Sequence, residues 1–448
     1  MKKVGKMREK VLILGLSKSG ISAAKLALNL GYDVYLTESK SNINELEVQE
    51  LKKLGINVEY GSHSDEFING ASFVITSPGI PPKSDIYKRI QEKNIPIISE
   101  IEFAYLNSDT PFIAITGTNG KTTTTALVSH LLNQSFDAPA CGNIGLPPSS
   151  LVENENDFLV CEISSYQAQM TKQFRPFISC WTNFTPDHID WHEGLENYFN
   201  AKAKIFLNKQ APQYAILNAK DEKLFKFSRQ CKKSKVFLFD EENYPNTSFI
   251  KDNAIWYKEN NIEEKIIDLK DCPLVGHHNY QNIMCAIICA KLCEVDNEII
   301  RQGIQSFKSP EHRLEKVREL NGITFYNDSK ATNPEASIVA IDSFNNLDVA
   351  LILGGRDKNT DLTQMCKSIN KHIKTVLLIG EATERFEENL KKNGFDNIIK
   401  EETLESAIDK SINIKPDVVL LSPACASFDM FNSYEHRGEV FKQYVLSK

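Results

Sequence analysis

Phe112-Ile113-Ala114-Ile115-Thr116-Gly117-Thr118-Asn119-Gly120-Lys121-Thr122-Thr123 is the stretch that decides how this chain reads. The run Phe112–Thr116 predicts a strand, two glycines predict a turn, and the residues through Leu132 predict a helix. Glycines there let the backbone fold around phosphate oxygens at the positive end of a helix. Lys121 would neutralise the outer phosphates, and the Thr122 hydroxyl would ligate Mg²⁺. The loop is shorter than G-x-x-x-x-G-K-[ST], because Ile115 stands where the first glycine would fall. A Gly-rich turn with a surface lysine is the bland alternative, and the strand before and helix after argue against it.

Outward from this loop the chain alternates short β-branched runs with longer helical stretches, the mark of α/β units with largely parallel sheets. On the N-terminal side, Val11–Leu14, Val34–Thr37 and Phe73–Thr76 predict strands, with helices at Ile21–Leu30 and Glu45–Leu54. Around the loop, Phe158–Glu162 and Phe177–Trp181 extend the central series. Ile323–Tyr326, Val349–Leu353, Val376–Ile379 and Val418–Leu421 make a third. The expected domains are 1–99, 100–309 and 310–448, each with its own doubly wound sheet. Residues 231–270 are polar and strand-rich, an expected excursion on the middle domain.

Composition agrees with that count. At roughly 150 residues per domain, 448 residues suggest three. Hydrophobic residues at 41% and charged residues at 25% are globular values that exclude disorder and collagen-like repeats. A net charge of −7 gives no general field for nucleic acid or anionic membrane, so any phosphate site is local. Lys2, Lys3, Lys6, Arg8 and Lys10 precede Val11–Leu14 as in a signal peptide, yet Gly15, Ser17 and Lys18 end the apolar run too soon. No run reaches the ~20 residues of a membrane span. Ten cysteines without framework spacing fit free thiols in a reducing cytoplasm, the expected compartment.

Further motifs sit at predicted strand ends. Gly15-Leu16-Ser17-Lys18-Ser19-Gly20 is a weakened G-x-G-x-x-G with Ser17 for the middle glycine; a phosphate turn and a merely packed strand-to-helix turn remain equal readings. Glu38 could bind a ribose or base. Glu162 ends a strand, and Asp187-His188-Ile189-Asp190 follows another, together offering ligands for a divalent ion. Lys202 and Lys204 sit on an amphipathic helix with Tyr198 and Phe206. Cys285, Cys289 and Cys293, four apart on one helix face, read as buried packing, since no fourth ligand is evident. In the third series, Asn327–Pro334, Gly354-Gly355-Arg356-Asp357-Lys358 and Ser422–Ser427 each follow a strand and suit an anionic small molecule.

Together these motifs resemble the Mur ligase family, ATP-dependent amide ligases of peptidoglycan precursor synthesis, over essentially the whole chain. The resemblance implies a Rossmann-like N-terminal domain, a P-loop-type central ATPase domain and a Rossmann-like C-terminal domain. It implies ATP contacts at Gly117, Thr118, Asn119, Gly120, Lys121, Thr122, Thr123, Asn279, Asn282, Arg313 and Asp328. A UDP-substrate site is implied at Ser17, Lys18, Glu38, Gly79 and Asn143, the last in Gly142-Asn143-Ile144-Gly145. Metal positions fall on Thr122, Glu162, His188 and Lys202, where the family carries two Mg²⁺ ions and a carbamylated lysine. Lys121, His188 and Lys202 take the catalytic roles.

Asp328-Ser329-Lys330-Ala331-Thr332-Asn333 is similar to the members that add D-glutamate to UDP-N-acetylmuramoyl-L-alanine, with Lys330, Thr332, Lys358, Ser427, Phe428 and Tyr434 at or around the amino acid. Tyr434 stands where some members have Phe, and Glu38 and Lys40 replace an Asp and an Arg near the uracil. The expected partners are these two substrates and ATP, with no nucleic acid, no membrane insertion and a monomeric state. Rival readings are another Mur- or folyl-type ligase, a nucleotide-sugar-binding ATPase regulator, and a dehydrogenase based on Gly15–Gly20.

Overall fold

The computed structural model describes residues 8–274, 276–344, 347–357 and 359–448. Three sheets flanked by helices organise the chain. The first runs, in spatial order, Asn57–Tyr60, Asp33–Glu38, Lys10–Leu14, Phe73–Thr76 and Ile97–Ser99, all parallel. Its inner strands are almost wholly apolar and buried on both faces, as helix-covered parallel strands must be.

The second sheet has nine strands, with Phe112–Thr116 between Leu159–Glu162 and Ile178–Trp181. Beyond Leu159–Glu162 comes Ala140–Gly142; beyond Ile178–Trp181 come Tyr214–Asn218 and Lys235–Phe239. The polar stretch 231–270 continues this same sheet. Thr247–Lys251, Ala254–Glu259 and Ile262–Asp268 pair antiparallel at its edge. The outermost of them is largely exposed over its first four residues, which fits the polar composition. The Phe112, Trp181, Phe199, Phe206 and Phe227 rings fill the core between this sheet and the helix Leu195–Leu207.

The third sheet runs Glu315–Leu320, Ile323–Asn327, Val418–Leu421, Val349–Gly354, Thr375–Ile379 and Ile398–Lys400, parallel except for its first strand. The chain divides into two compact units. One holds the residues up to Leu269 together with Ile283–Gly303, and thus the first two sheets; the other holds Lys270–Asn282 and Ile304–Lys448. Among the described residues, no helix is long and apolar enough to cross a membrane.

Ser99 shows how local chemistry shapes a junction. Its hydroxyl accepts from the Glu102 N–H and starts the helix Glu100–Leu106 directly after the last strand of the first sheet. Glu102, itself buried, accepts from the N–H groups of Lys172, Gln173 and Phe174 at 3.0, 2.7 and 3.1 Å. One carboxylate thus ties that helix to the turn leading into Ile178–Trp181.

Candidate active site

Strand Phe112–Thr116 is buried throughout and delivers the candidate phosphate loop, Gly117–Lys121, to the C-terminal edge of the central sheet, where open α/β sheets place ligands. Gly117 has φ 153°, and a Cβ there would meet Thr182 Oγ1 at 1.9 Å. Gly120, at φ 81°, caps the helix Lys121–Leu132. The end of the neighbouring strand fixes the loop. Thr118 N–H donates to Asn183 O at 3.1 Å, Asn119 N–H to Asn183 Oδ1 at 2.9 Å, and Thr182 Oγ1 to Asn119 O at 2.6 Å. Lys121 Nζ curls over the loop, donating to the carbonyls of Gly117 at 3.0 Å and Thr118 at 2.8 Å. Thr122 and Thr123 lie in the first helical turn, nearly buried.

Beside the loop stands Glu162, 2% exposed, at the end of the adjacent strand. Its Oε1 accepts from Asn143 Nδ2 at 2.8 Å, while its Oε2 is buried with no hydrogen-bond partner. An ionised oxygen left so would be costly, and a hard divalent cation such as Mg²⁺ is the partner its chemistry suits. Asn143 is placed by Gly142, which has φ 96° and whose Cβ would fall 2.3 Å from Glu162 O.

Lys202, on the helix Leu195–Leu207, is 2% exposed and donates to Gly117 O at 2.7 Å. Two lysine nitrogens, Lys121 and Lys202, therefore share one carbonyl. Burial, reinforced by the Lys121 charge, holds the Lys202 amine well below the usual lysine range despite opposing pull from Asp187 and Glu162. His188 has φ 52°; its Nε2 lies 3.4 Å from Asp187 Oδ2, and its ring is 5.0 Å from that of Tyr166.

The sequence reading missed several supports of this site. His192 Nε2 meets Ser165 Oγ at 2.9 Å, and burial pushes the imidazole down to about 4, so it stays neutral. Tyr166 packs against His188, Trp191 and His192 at 4.4–5.6 Å between ring centroids. Thr182 and Asn183 shape the loop Gly117–Gly120. A lone Thr-Asn pair after a strand carries no signal of that role.

At the edge of the first sheet, Gly20 packs against Gly15, whose carbonyl would lie 2.0 Å from a Cβ. Ser17 Oγ meets Ser77 Oγ at 2.9 Å and caps the helix Lys18–Asn29. Lys18 and Gly79 are exposed. Glu38 accepts from the N–H groups of Leu16 and Lys40, both at 3.0 Å. Burial raises its pKa, but these bonds outweigh it and hold the carboxylate below its ordinary value. Ser17, Lys18 and Glu38 thus gather at one strand edge, with Ser77 as a residue the motif did not include.

In the second unit, strands Ile323–Asn327, Val418–Leu421 and Val349–Gly354 are parallel neighbours, so the loops after them do share one edge. Asp328 Oδ2 accepts from Ser422 Oγ at 2.8 Å, and burial pushes its carboxyl up to about 7 against that bond and Arg313. Lys330 Nζ lies 5.5 Å from the Tyr434 ring centroid. Thr332 is half-buried, Ser427 buried and Phe428 exposed. Lys358 lies outside the described residues. Asn282 Nδ2 donates to Asn279 Oδ1 at 3.2 Å, and Arg313 follows His312 at φ 63°.

Arg437, 1% exposed, is the main residue of this unit that sequence reading missed. It donates to Ser329 Oγ, Ser329 O and Cys425 O at 3.0, 2.8 and 3.1 Å, bolting two of the three loops together. Its only sequence signal is an Arg in a C-terminal helix.

Three domain families match the chain: "Mur ligase MurD-like, N-terminal domain" over residues 9–99, "Mur ligase middle domain" over 115–290, and "Mur ligase, glutamate ligase domain" over 312–425. The chain belongs to the Mur ligase family. This Mur ligase is 40% identical over 446 residues, 98% of each chain, to the UDP-N-acetylmuramoylalanine--D-glutamate ligase of Thermoanaerobacter pseudethanolicus. It is 37% identical to the protein of that name from Bacillus mycoides, covering 99% of each. Among solved structures, MurF from Acinetobacter baumannii matches at TM-score 0.62 and 15% identity, over 97% of this chain and 93% of that one. UDP-N-acetylmuramate-alanine ligase MurC from Thermotoga maritima matches at 0.59 and 19%, over 98% and 100%. These structures share the Mur ligase's three-domain α/β fold.

Proposed function

We propose that this Mur ligase is a cytoplasmic, ATP-dependent enzyme that joins D-glutamate to UDP-N-acetylmuramoyl-L-alanine in peptidoglycan precursor synthesis. The observation that carries the chemistry is the shared Gly117 carbonyl, with Lys121 at 3.0 Å and Lys202 at 2.7 Å beside the partnerless Glu162 Oε2. The choice of substrates rests on the relatives of that name at up to 40% identity and on the loop Asp328–Asn333.

The phosphate loop would hold ATP by backbone N–H groups, and Lys121 would leave its loop carbonyls for the outer phosphates. The L-alanine carboxylate attacks the γ-phosphorus, the bond to ADP breaks, and an acyl phosphate forms. The D-glutamate amine then attacks the acyl carbon and phosphate departs. Mg²⁺, held by Thr122, Glu162 and His188, would supply charge neutralisation for the carboxylate and phosphates. Lys202 is suited to carbamylation, because only a neutral amine attacks CO₂ and burial, with the Lys121 charge, shifts this amine towards its neutral form. The resulting carbamate would give the metal an anionic oxygen ligand where the unmodified side chain offers none. Asn143 would position the muramoyl substrate, with Ser17, Lys18, Glu38 and Gly79 on the uridine side.

D-Glutamate brings two carboxylates, so its pocket needs separated donors. Lys330 and Lys358 supply two cations, and Thr332 and Ser427 add hydroxyls; charge-assisted bonds of this kind contribute roughly 1.5–3 kcal/mol each. The test is phosphate release from ATP across an amino-acid panel. Release that requires both UDP-N-acetylmuramoyl-L-alanine and D-glutamate is expected, with L-glutamate, D-alanine and diaminopimelate far poorer. Equal turnover with diaminopimelate or L-alanine would overturn the substrate assignment.

A further inference from the structure

Away from the phosphate loop, three buried thiols converge. Cys180, Cys285 and Cys289 are each 0% exposed, and their sulfurs lie within 4.8 Å of one another, with Cys180 Sγ and Cys289 Sγ 3.4 Å apart. It is the one group of three or more His, Cys, Asp or Glu ligands so close among the described residues. The spacing Cys285, Cys289, Cys293 suggested a row along one helix. The structure instead closes a triangle by bringing in Cys180 from the strand Ile178–Trp181.

The geometry follows from two periodicities. Cys285 and Cys289 stand one turn apart on the helix His277–Leu292 and so share a face. Along the strand, Ser179 and Trp181 face the helix Leu195–Leu207, where Ser179 Oγ donates to Ile205 O and Trp181 stacks on Phe206. Cys180 therefore points to the opposite side. Metal–sulfur bonds of about 2.3 Å in a trigonal site put the sulfurs about 4 Å apart, within the spread seen here.

We propose that Cys180, Cys285 and Cys289 form a three-coordinate site for a soft monovalent cation, Cu(I). Donor type excludes Mg²⁺ and Ca²⁺, which take oxygen. Coordination number disfavours Zn²⁺, which wants four ligands, because among the described residues no fourth His, Cys, Asp or Glu joins this group. Thiolate sulfur selects Cu(I) among the remaining ions. Each metal–sulfur bond would form as its thiol gives up a proton to solvent.

The site has a route to the phosphate loop. Trp181 is followed by Thr182, whose Oγ1 donates to Asn119 O, so a strand drawn towards the helix would disturb that loop. This coupling rests on the ATP reading above; the metal site itself does not.

The test is anaerobic titration of the full chain with Cu(I) against the chromophoric chelator bicinchoninate. X-ray absorption reports the coordination, and ATP affinity is measured with and without the ion. One Cu(I) per chain with three sulfur neighbours is expected. That binding should be lost in Cys180→Ala and Cys289→Ala and kept in Cys293→Ala and in the Cys141→Ala/Cys161→Ala double variant. Circular dichroism melts confirm that each variant is folded. ATP affinity should fall roughly tenfold when the ion is bound, a coupling of about 1.4 kcal/mol. Absence of Cu(I) binding, two- or four-coordinate copper, or binding that survives in a folded Cys180→Ala protein would overturn the site. Unchanged ATP affinity with the ion bound would overturn only the coupling.

Discussion

At the scale of single residues, two buried groups have protonation states set by their surroundings. Lys202 loses its proton readily because burial and Lys121 disfavour the ammonium. If it works as a carbamate, Lys202→Ala is expected to be nearly inactive, and acetate should partly restore turnover by returning an anion. Full activity after bicarbonate depletion would count against the carbamate. Lys121→Ala should cost more than about tenfold in activity, at least ~1.4 kcal/mol of transition-state stabilisation, with the fold intact. Glu100 titrates in the other sense. It is buried, with one oxygen accepting from Ser149 N–H at 2.7 Å, and burial raises its pKa to about 7. Because the folded state then holds a proton that the unfolded chain has released, stability is fully present below about pH 4 for this group. It declines as pH rises and levels off above about pH 7. Glu100→Gln should flatten that decline in chemical-denaturation curves taken between pH 4 and 8, and an unchanged slope would assign it elsewhere.

At the scale of elements, two contacts decide whether strands deliver their residues. Ala140–Gly142 pairs with Leu159–Glu162 in register, and a Cβ on Gly142 would lie 2.3 Å from Glu162 O. Gly142→Ala combines that backbone clash with a positive φ and should cost on the order of 1–3 kcal/mol. Because Asn143 and Glu162 both sit at that contact, the KM for the muramoyl substrate should rise more than that for D-glutamate. Glu102 offers a contrast without chemistry. Replacing it by Leu strands three N–H groups of the 172–174 turn and should destabilise by on the order of 2–5 kcal/mol in urea melts. KM values in the folded fraction should stay unchanged. Sequence could not foresee Glu102, since a carboxylate in a helix's first turn reads as a dipole partner and its acceptor role depends on residues some seventy positions away. The strands were legible because apolar runs such as Val349–Gly354 admit one reading when buried on both faces.

At the scale of the whole molecule, the three-sheet organisation and the strand–turn–helix around Gly117–Lys121 were readable from local pattern. The joints between loops were not. Arg437, Ser165 with His192, and Cys180 act through partners that only the folded chain brings near, and none carries a spacing signature. The same scale sets the last expectation. Lys121, Thr122 and Glu162 belong to one compact unit, whereas Lys330, Thr332 and Ser427 belong to the other. On the proposed function, an acyl phosphate made at the first group would have to meet an amine held by the second within a near-attack distance of about 3–3.5 Å. It must also be kept from water, which would hydrolyse it. On that proposed function, the expectation is that ATP and the muramoyl substrate together drive a closure that brings these groups to one another, with Arg313 proposed to couple it to the nucleotide. Small-angle scattering should show a smaller radius of gyration with a non-hydrolysable ATP analogue and UDP-N-acetylmuramoyl-L-alanine than with either alone. Arg313→Ala should weaken that compaction and lower kcat more than it raises the D-glutamate KM. Scattering curves that superimpose in all three states would mean that the units need no rearrangement to react.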